Sequence, residues 1–132
     1  MNKKINVACG VIFDKDGNIL MGRRPKNYEN PRYWEFPGGK QEKNESLEQC
    51  LMREWKEEFN LDIFVHEQLM INENDKYKCY FFSGKILYKN LIDIDMNDHD
   101  CIGFFNPKEI NKLNLFEGDI EILDHIYSLV NI

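Results

Sequence analysis

Residues 46–59, SLEQCLMREWKEEF, constrain the fold of this 132-residue chain more than any other segment. They predict one amphipathic helix, and both of its ends are marked in the sequence. Ser46 is a favoured N-cap residue, and Gln49 three positions later completes a capping box. Asn60 follows the helix and is one of the few non-glycine residues that tolerate the left-handed conformation at a helix C-terminus. The chain is therefore expected to contain an internal helix with fixed ends.

Three glutamates crowd into five positions of this helix: Glu54, Glu57 and Glu58. Like charges at i,i+4 destabilise a helix by about 0.2–0.5 kcal/mol per pair. At about 100° per residue, Glu58 points into the apolar stripe, Glu54 lies at its edge and Glu57 lies on the margin. The predicted stripe consists of Leu47, Leu51, Met52, Trp55 and Phe59.

A charged helix face is usually solvated, and that is the alternative interpretation of the three acids. Their position beside the apolar stripe argues against it, because a buried carboxylate without a partner costs several kcal/mol. Hard divalent cations take oxygen ligands, and Mg²⁺ combines one or two carboxylates with waters and substrate phosphates. The pattern therefore predicts a Mg²⁺ or Mn²⁺ site that faces a phosphorylated ligand. Arg53, at i,i+4 from Glu57, is expected to hold that side chain in place.

Strand-like segments lie on both sides of the helix. They are residues 5–13, 19–24, 34–36, 62–71, 77–87 and 101–105. A short helical piece opens near residue 106, and an apolar pattern of helical period covers about 118–130. This order predicts an α+β fold in which a mixed β-sheet lies between helices, within a single domain over residues 1–132.

The net charge and the distribution of apolar residues argue against several classes of protein. The net charge of −6 argues against a general binder of nucleic acid or of anionic membranes, whose surface would be basic. The first ten residues lack the apolar core of a secretory signal, and no apolar run approaches the ~20 residues that span a bilayer. None of the four cysteines forms a C-x-x-C pair. We expect a cytoplasmic protein with reduced thiols.

Pro37, Gly38 and Gly39 precede the acidic helix. A Gly-Gly pair alone usually indicates a turn. Glycine also lets the backbone approach a ligand closely because it has no Cβ. Because the glycine pair lies just before the three acids, a close approach of the backbone to a ligand becomes the favoured interpretation. Gly39 is therefore a candidate ligand contact.

Residues 39–61 resemble the Nudix box, G-x5-E-x7-R-E-U-x-E-E-x-G-U, where U is a bulky apolar residue. Asn60 replaces the last glycine of that pattern, and we expect the turn to survive because Asn tolerates the left-handed region. The preceding stretch WEFPGGK is similar to the MutT-like branch of the family, the nucleoside triphosphate pyrophosphohydrolases. The matching positions are Gly39, Glu45, Arg53, Glu54, Trp55, Glu57, Glu58 and Leu61.

The resemblance implies an α/β/α sandwich and an enzyme that hydrolyses a nucleoside triphosphate to a nucleoside monophosphate and pyrophosphate. The substrate would be 8-oxo-dGTP or another (d)NTP, and Mg²⁺ would be the cofactor, with Mn²⁺ as a substitute. The acids of the helix and the Gly38 carbonyl would ligate the metal. Glu45 and Arg53 would support these ligands.

The stretch DHDCIGFF resembles a further family segment only weakly, and there Asp98 stands where a glutamate serves as metal ligand or base. Glu54, Glu57 and Asp98 are therefore the candidates for activating the water, and the sequence does not choose among them.

Candidate substrate contacts lie outside the box. By position Arg24 resembles a phosphate-binding arginine of the MutT branch, although a solvated strand end is the alternative. Lys76 is a weaker candidate for the same role. Phe36 could stack on the base or belong to the core, and Asp119 could hydrogen-bond to the base.

His66, His99 and His125 are scattered in the sequence, and none is assigned a catalytic role. The expected partner is a small nucleotide, with the protein a monomer or homodimer. Two alternatives stay open: hydrolysis of another nucleoside diphosphate derivative, such as a nucleotide sugar or dinucleotide, and a non-hydrolysing nucleotide sensor.

Overall fold

The computed structural model describes residues 3–26, 32–88, 99–115 and 119–130. Within these ranges the chain forms seven strands and three helices. In chain order they are β1 Ile5–Phe13, β2 Ile19–Arg23, β3 Trp34–Glu35, β4 Gly38–Lys40, α1 Leu47–Phe59, β5 Asp62–Glu73, β6 Tyr77–Tyr88, β7 Cys101–Phe105, α2 Pro107–Ile110 and α3 Ile122–Val130.

One mixed sheet contains all of the described strands. Its main order is β3-β2-β1-β6-β5, while β4 pairs with β1 and β7 pairs with β2. β1 and β6 run parallel, and the other pairs are antiparallel. The predicted mixed sheet is thereby confirmed.

Helices cover both faces of this sheet. Alternate residues of a strand point to opposite faces, so Ala8 and Ile12 of β1 pack with Trp55 of α1. Val11 lies on the other face, in the same cluster as Ile126 of α3. The predicted arrangement of a sheet between helices is correct.

Helix α1 begins and ends as the sequence predicts. Ser46 is the N-cap of a complete capping box with Gln49, and Asn60 takes the left-handed conformation at φ 54°. The predicted apolar stripe is wrong at Met52, which is 40% exposed, and it omitted Cys50, which is buried. The buried face is therefore rotated toward Glu54, which brings the acids closer to the core than predicted.

The glycine pair before α1 is not a turn. Gly38–Lys40 form β4, whose Gly38 and Gly39 lie opposite Cys9 and Ala8 of β1. A Cβ at Gly38 would lie 1.8 Å from the Ala8 carbonyl oxygen, so only glycine fits at this separation.

The C-terminal helix starts later than predicted. Helix α3 begins at Ile122, and residues 120 and 121 before it form a turn. Asp119 accepts a hydrogen bond from the Phe36 amide, so this residue is held against the sheet instead of joining the helix. No helix in the described ranges is both long and apolar enough to cross a membrane.

Candidate active site

Arg53 of α1 donates hydrogen bonds to three glutamates of the predicted box. Its Nε and Nη2 donate to the two carboxylate oxygens of Glu45 at 3.0 and 2.8 Å. Its Nη1 donates to Glu54 Oε1 at 3.0 Å and to Glu57 Oε1 at 3.1 Å. Nη2 also donates to the Lys40 carbonyl at the end of β4. The guanidinium thus fixes the helix, the loop before it and β4 relative to one another.

Glu45 is the most strongly held of these carboxylates. Hydrogen bonds from Arg53, followed by the backbone amide of Glu42, lower the pKa of Glu45 from 4.5 to about 2. A fork-shaped guanidinium bonded to both oxygens of a carboxylate is a geometrically specific pair. The supporting role of Glu45 and Arg53 stays a prediction.

Gly39 makes room for Glu54. A Cβ at this position would lie 2.1 Å from the Glu54 carboxyl carbon and 2.4 Å from both of its oxygens. The same segment is anchored to α1 by the Trp55 indole, which donates to the Pro37 carbonyl at 3.0 Å. The Cys50 thiol lies 3.4 Å from the Gly39 carbonyl. Glycine at position 39 therefore lets the Glu54 carboxylate lie against the β4 backbone.

Glu58 has a different partner from the other two acids of α1. Its side chain is 8% exposed, and its Oε2 lies 3.0 Å from His99 Nδ1. The other ring nitrogen, Nε2, lies 2.8 Å from Glu35 Oε2. Burial works against the charged ring, but the hydrogen bonds to Glu35 and Glu58 outweigh it and raise the pKa of His99 to about 9.

Glu35 in turn connects this histidine to Arg24. Arg24 Nη1 donates to Glu35 Oε1 at 2.9 Å, so a continuous series of contacts runs from Arg24 through Glu35 and His99 to Glu58. The neighbouring Arg23 has a different partner: its Nε donates to Asp100 Oδ1 at 2.9 Å.

Sequence reasoning missed His99 and Glu35. His99 was assigned no role, yet its side chain is buried and lies against the predicted metal ligand Glu58. One signal for it was available in β2, where a Cβ at Gly22 would come within 2.5 Å of the His99 ring. A glycine inside a buried strand often marks a close approach of this kind, although the sequence does not identify the approaching group.

Asp119 and Phe36 are brought together on the other face of the sheet. The Phe36 amide donates to Asp119 Oδ2 at 2.8 Å, and both residues are buried. Burial raises the pKa of Asp119 well above 3.8, and the Phe36 amide opposes this only in part. The Phe36 ring packs edge-to-face on Phe81 at 6.4 Å and is 2% exposed, which favours its role as a core residue.

The predicted candidate Lys76 has other contacts. Lys76 is at the β5–β6 hairpin, with its ammonium 5.2 Å from the centre of the Tyr77 ring. Lys40 lies over the same ring at 6.0 Å, so Lys76 is beside the end of β4. Asp98 lies outside the described residues.

The donor chemistry of the site suits a hard divalent cation. Glu54, Glu57 and Glu58 offer carboxylate oxygens, which are the ligand type that Mg²⁺ and Mn²⁺ prefer, and Glu54 lies against Gly39. Among the described residues, no three His, Cys, Asp or Glu side chains are gathered closely enough to hold one ion. Arg53 Nη1 now bridges Glu54 and Glu57, so a positive charge already lies between these two.

A cavity of about 940 Å³ lies elsewhere in the described part of the molecule, at the far end of β1. None of the predicted site residues lines it. Its walls include Phe13, Lys15, Phe64, Ser83, Lys85 and Pro107.

Similar proteins include two with named activities. An 8-oxo-dGTP diphosphatase of Proteus vulgaris is 48% identical over 61 residues, which cover 46% of this chain and 54% of that protein. The matched region thus spans about half the length of this relative. A CTP pyrophosphohydrolase of Escherichia coli (strain K12) is 28% identical over 134 residues, which cover 96% of this chain and 94% of that protein.

Solved structures have the same fold. The solution structure of the E. coli ORF135 protein has a TM-score of 0.77 at 28% identity, over 96% of this chain and 91% of that chain. The crystal structure of the MutT protein from Methanosarcina mazei Go1 has a TM-score of 0.78 at 21% identity, over 98% and 97%. Residues 3–126 match the NUDIX domain. The chain belongs to the Nudix family and is a MutT-like Nudix hydrolase.

Proposed function

We propose that this protein is a Mg²⁺-dependent pyrophosphohydrolase that converts a nucleoside triphosphate to a nucleoside monophosphate and pyrophosphate. The observation that carries the proposal is the set of carboxylates on α1 that Arg53 and His99 hold, with Glu54 against Gly39 of β4. Relatives named for hydrolysis of 8-oxo-dGTP and CTP support a pyrophosphohydrolase.

Glu54, Glu57, Glu58 and the Gly38 carbonyl would hold the metal ion. When bound, the ion neutralises phosphate charge and lowers the pKa of a coordinated water. Arg53 and Glu45 keep the helix and the preceding loop in register during turnover. A carboxylate among Glu54, Glu57 and Asp98 would accept the proton of the attacking water.

The phosphates would meet Arg24 and, beyond the end of β4, Lys76. Arg24 is already oriented by Glu35 at 2.9 Å, and a guanidinium matches phosphate oxygens in a fork geometry. Gly39 would allow close approach of the ligand to the backbone.

Base recognition would depend on Asp119, with Phe36 fixing its position through the amide. A protonated Asp119 both donates and accepts hydrogen bonds, which matches a base edge that offers an acceptor next to an amino group, as cytosine does. Ionised, the same carboxylate would accept from two neighbouring N–H groups, as guanine offers. The two named relatives represent these two kinds of base.

A nucleotide panel tests the proposal. It contains normal and oxidised purine and pyrimidine nucleoside triphosphates, a nucleotide sugar and a dinucleotide, with release of pyrophosphate or monophosphate as the readout in Mg²⁺. Pyrophosphate from at least one triphosphate, abolished in Glu57→Gln, is the expected result. If only the nucleotide sugar or the dinucleotide is hydrolysed, the protein is instead a hydrolase of another nucleoside diphosphate derivative. Tight binding without hydrolysis at any Mg²⁺ concentration would favour a nucleotide sensor.

The partner is proposed to be a small nucleotide. The single-domain extent, the monomeric or dimeric state, the lack of nucleic-acid binding and the cytoplasmic location stay predictions from the sequence.

A further inference from the structure

His99 stands between two carboxylates that the sequence places far apart. Its Nδ1 faces Glu58 Oε2 at 3.0 Å and its Nε2 faces Glu35 Oε2 at 2.8 Å, across 41 and 64 residues of chain. Glu35 also accepts from Arg24 Nη1 at 2.9 Å. One rigid ring thus connects a carboxylate of α1 to a guanidinium beside β2.

The surroundings of His99 hold this ring in one orientation. The Phe59 ring of α1 stacks on it with centroids 5.9 Å apart and an angle of 22° between planes. Gly22 of β2 lies against the imidazole, where any Cβ would clash with the ring. The His99 side chain is 3% exposed. Packing of this kind locks the rotamer of a side chain that supports a functional site.

The acids of α1 are consequently held by two separate groups. Arg53 bonds to Glu54 and Glu57, and His99 bonds to Glu58. A carboxylate is planar, so a hydrogen bond that fixes Oε2 also sets the direction in which Oε1 points. This contact therefore helps to set the orientation of Glu58, the most buried acid of the helix.

We propose that His99 is a positioning residue of the active site, which orients Glu58 toward the metal ion through Nδ1 and orients Arg24 toward the substrate phosphates through Nε2 and Glu35. This inference rests on the proposed function, because it takes Glu58 as a metal ligand and Arg24 as a phosphate contact. Hydrogen-bonding partners of metal ligands commonly change metal affinity by 10–100-fold when they are removed.

Asparagine and glutamine at position 99 separate the two contacts. The Asn amide nitrogen overlays histidine Nδ1 and retains only the bond to Glu58. The Gln amide nitrogen overlays Nε2 and retains only the bond to Glu35. His125, which is exposed on α3, provides the matched control His125→Gln. Mn²⁺ affinity is measured by electron paramagnetic resonance without substrate, and kcat and KM are measured for the best triphosphate of the panel.

A crossed pattern is expected. In His99→Gln the Mn²⁺ dissociation constant rises about tenfold or more, with a smaller change in KM. In His99→Asn the Mn²⁺ dissociation constant stays within about threefold of the wild type, while KM rises because Glu35 no longer holds Arg24 as firmly. Glu35→Gln, which leaves His99 in place, should resemble His99→Asn, and His125→Gln should resemble the wild type.

A merely structural histidine would give a different result. Equal losses in His99→Asn and His99→Gln, in proportion to their melting temperatures, would overturn the inference, as would wild-type Mn²⁺ affinity in both. If neither variant folds, Glu35→Gln decides: an unchanged KM overturns the inference and a raised KM supports it. Wild-type protein that binds no Mn²⁺ and hydrolyses nothing would overturn the proposed function together with the inference. If the wild-type protein is active and the position 99 variants match it in Mn²⁺ affinity and KM, the inference alone is overturned.

Discussion

Neighbouring residues of one acidic motif are expected to differ in what their removal costs. Glu57 is 59% exposed and bonded to Arg53, whereas Glu58 is 8% exposed and bonded to His99. Glu57→Gln should lower the rate of pyrophosphate release about 100-fold or more at little cost in stability, because exposed ion pairs contribute about 0–1 kcal/mol.

Glu58→Gln should lose activity and stability together, since it removes one of the two carboxylates that face the buried His99. Pyrophosphate release and urea denaturation, measured on both variants, check this difference. The exposed Glu48 supplies the control Glu48→Gln. Equal stability losses at positions 57 and 58 would contradict the assigned environments.

Glu45 makes a pH-dependent contribution to stability. Its pKa is lowered by Arg53 from 4.5 to about 2 in the folded protein. A lowered folded-state pKa stabilises the protein above the unfolded value of about 4.5, and this contribution is lost as the pH falls toward 2. The difference in melting temperature between wild type and Glu45→Gln should therefore be largest above pH 5 and shrink on acidification. Glu67→Gln removes an exposed carboxylate on β5 as a control, and a constant Glu45→Gln difference would refute the assignment.

At the scale of elements, the C-terminus of α1 tests the substitution within the box. Asn60 has φ 54°, in the region where glycine is unstrained. Asn60→Gly should keep or slightly raise the free energy of unfolding, while Asn60→Ala should lower it by about 1 kcal/mol. Urea denaturation of the two variants measures this. A more stable alanine variant would show that the left-handed cap is not maintained in solution.

The two glycines of β4 are expected to fail in different ways. A Cβ at Gly38 meets the backbone of Ala8, which cannot move without disturbing β1, whereas a Cβ at Gly39 meets the end of the flexible Glu54 side chain. Gly38→Ala should therefore destabilise the fold, by about 1–3 kcal/mol or more. Gly39→Ala should retain more stability but lose activity because it displaces Glu54. Thermal melting and pyrophosphate release, measured in parallel, separate the two effects.

At the scale of the whole molecule, metal binding should be visible in stability. A ligand that binds only the folded state stabilises it by about 2.7 kcal/mol at 100 times its dissociation constant. Mg²⁺ should raise the melting temperature by several degrees, and Glu58→Gln should reduce that increase. K⁺ salts at matched ionic strength control for screening. If Mg²⁺ does not change the melting temperature in the presence of a substrate analogue, this result counts against the metal site.

Sequence alone determined the parts of this protein that depend on local contacts. The bounds of α1 follow from Ser46, Gln49 and Asn60, which interact within one helical turn of the ends. The contact of Arg53 with Glu57 follows from their i,i+4 spacing on the helix in the same way. The order of strand-like segments on both sides of the helix indicated the sheet between helices.

Only the tertiary structure decided which distant residues complete the site. The antiparallel register of β2 with β7, which pairs Arg23 with Cys101, brings His99 beside Gly22. From there His99 reaches Glu35 and Glu58, and across the sheet Asp119 reaches the Phe36 amide, 83 residues away. Gly38 and Gly39 likewise form a strand only because they pair with Cys9 and Ala8 of β1. These contacts depend on strand register and packing, which periodicity and spacing along the chain do not specify.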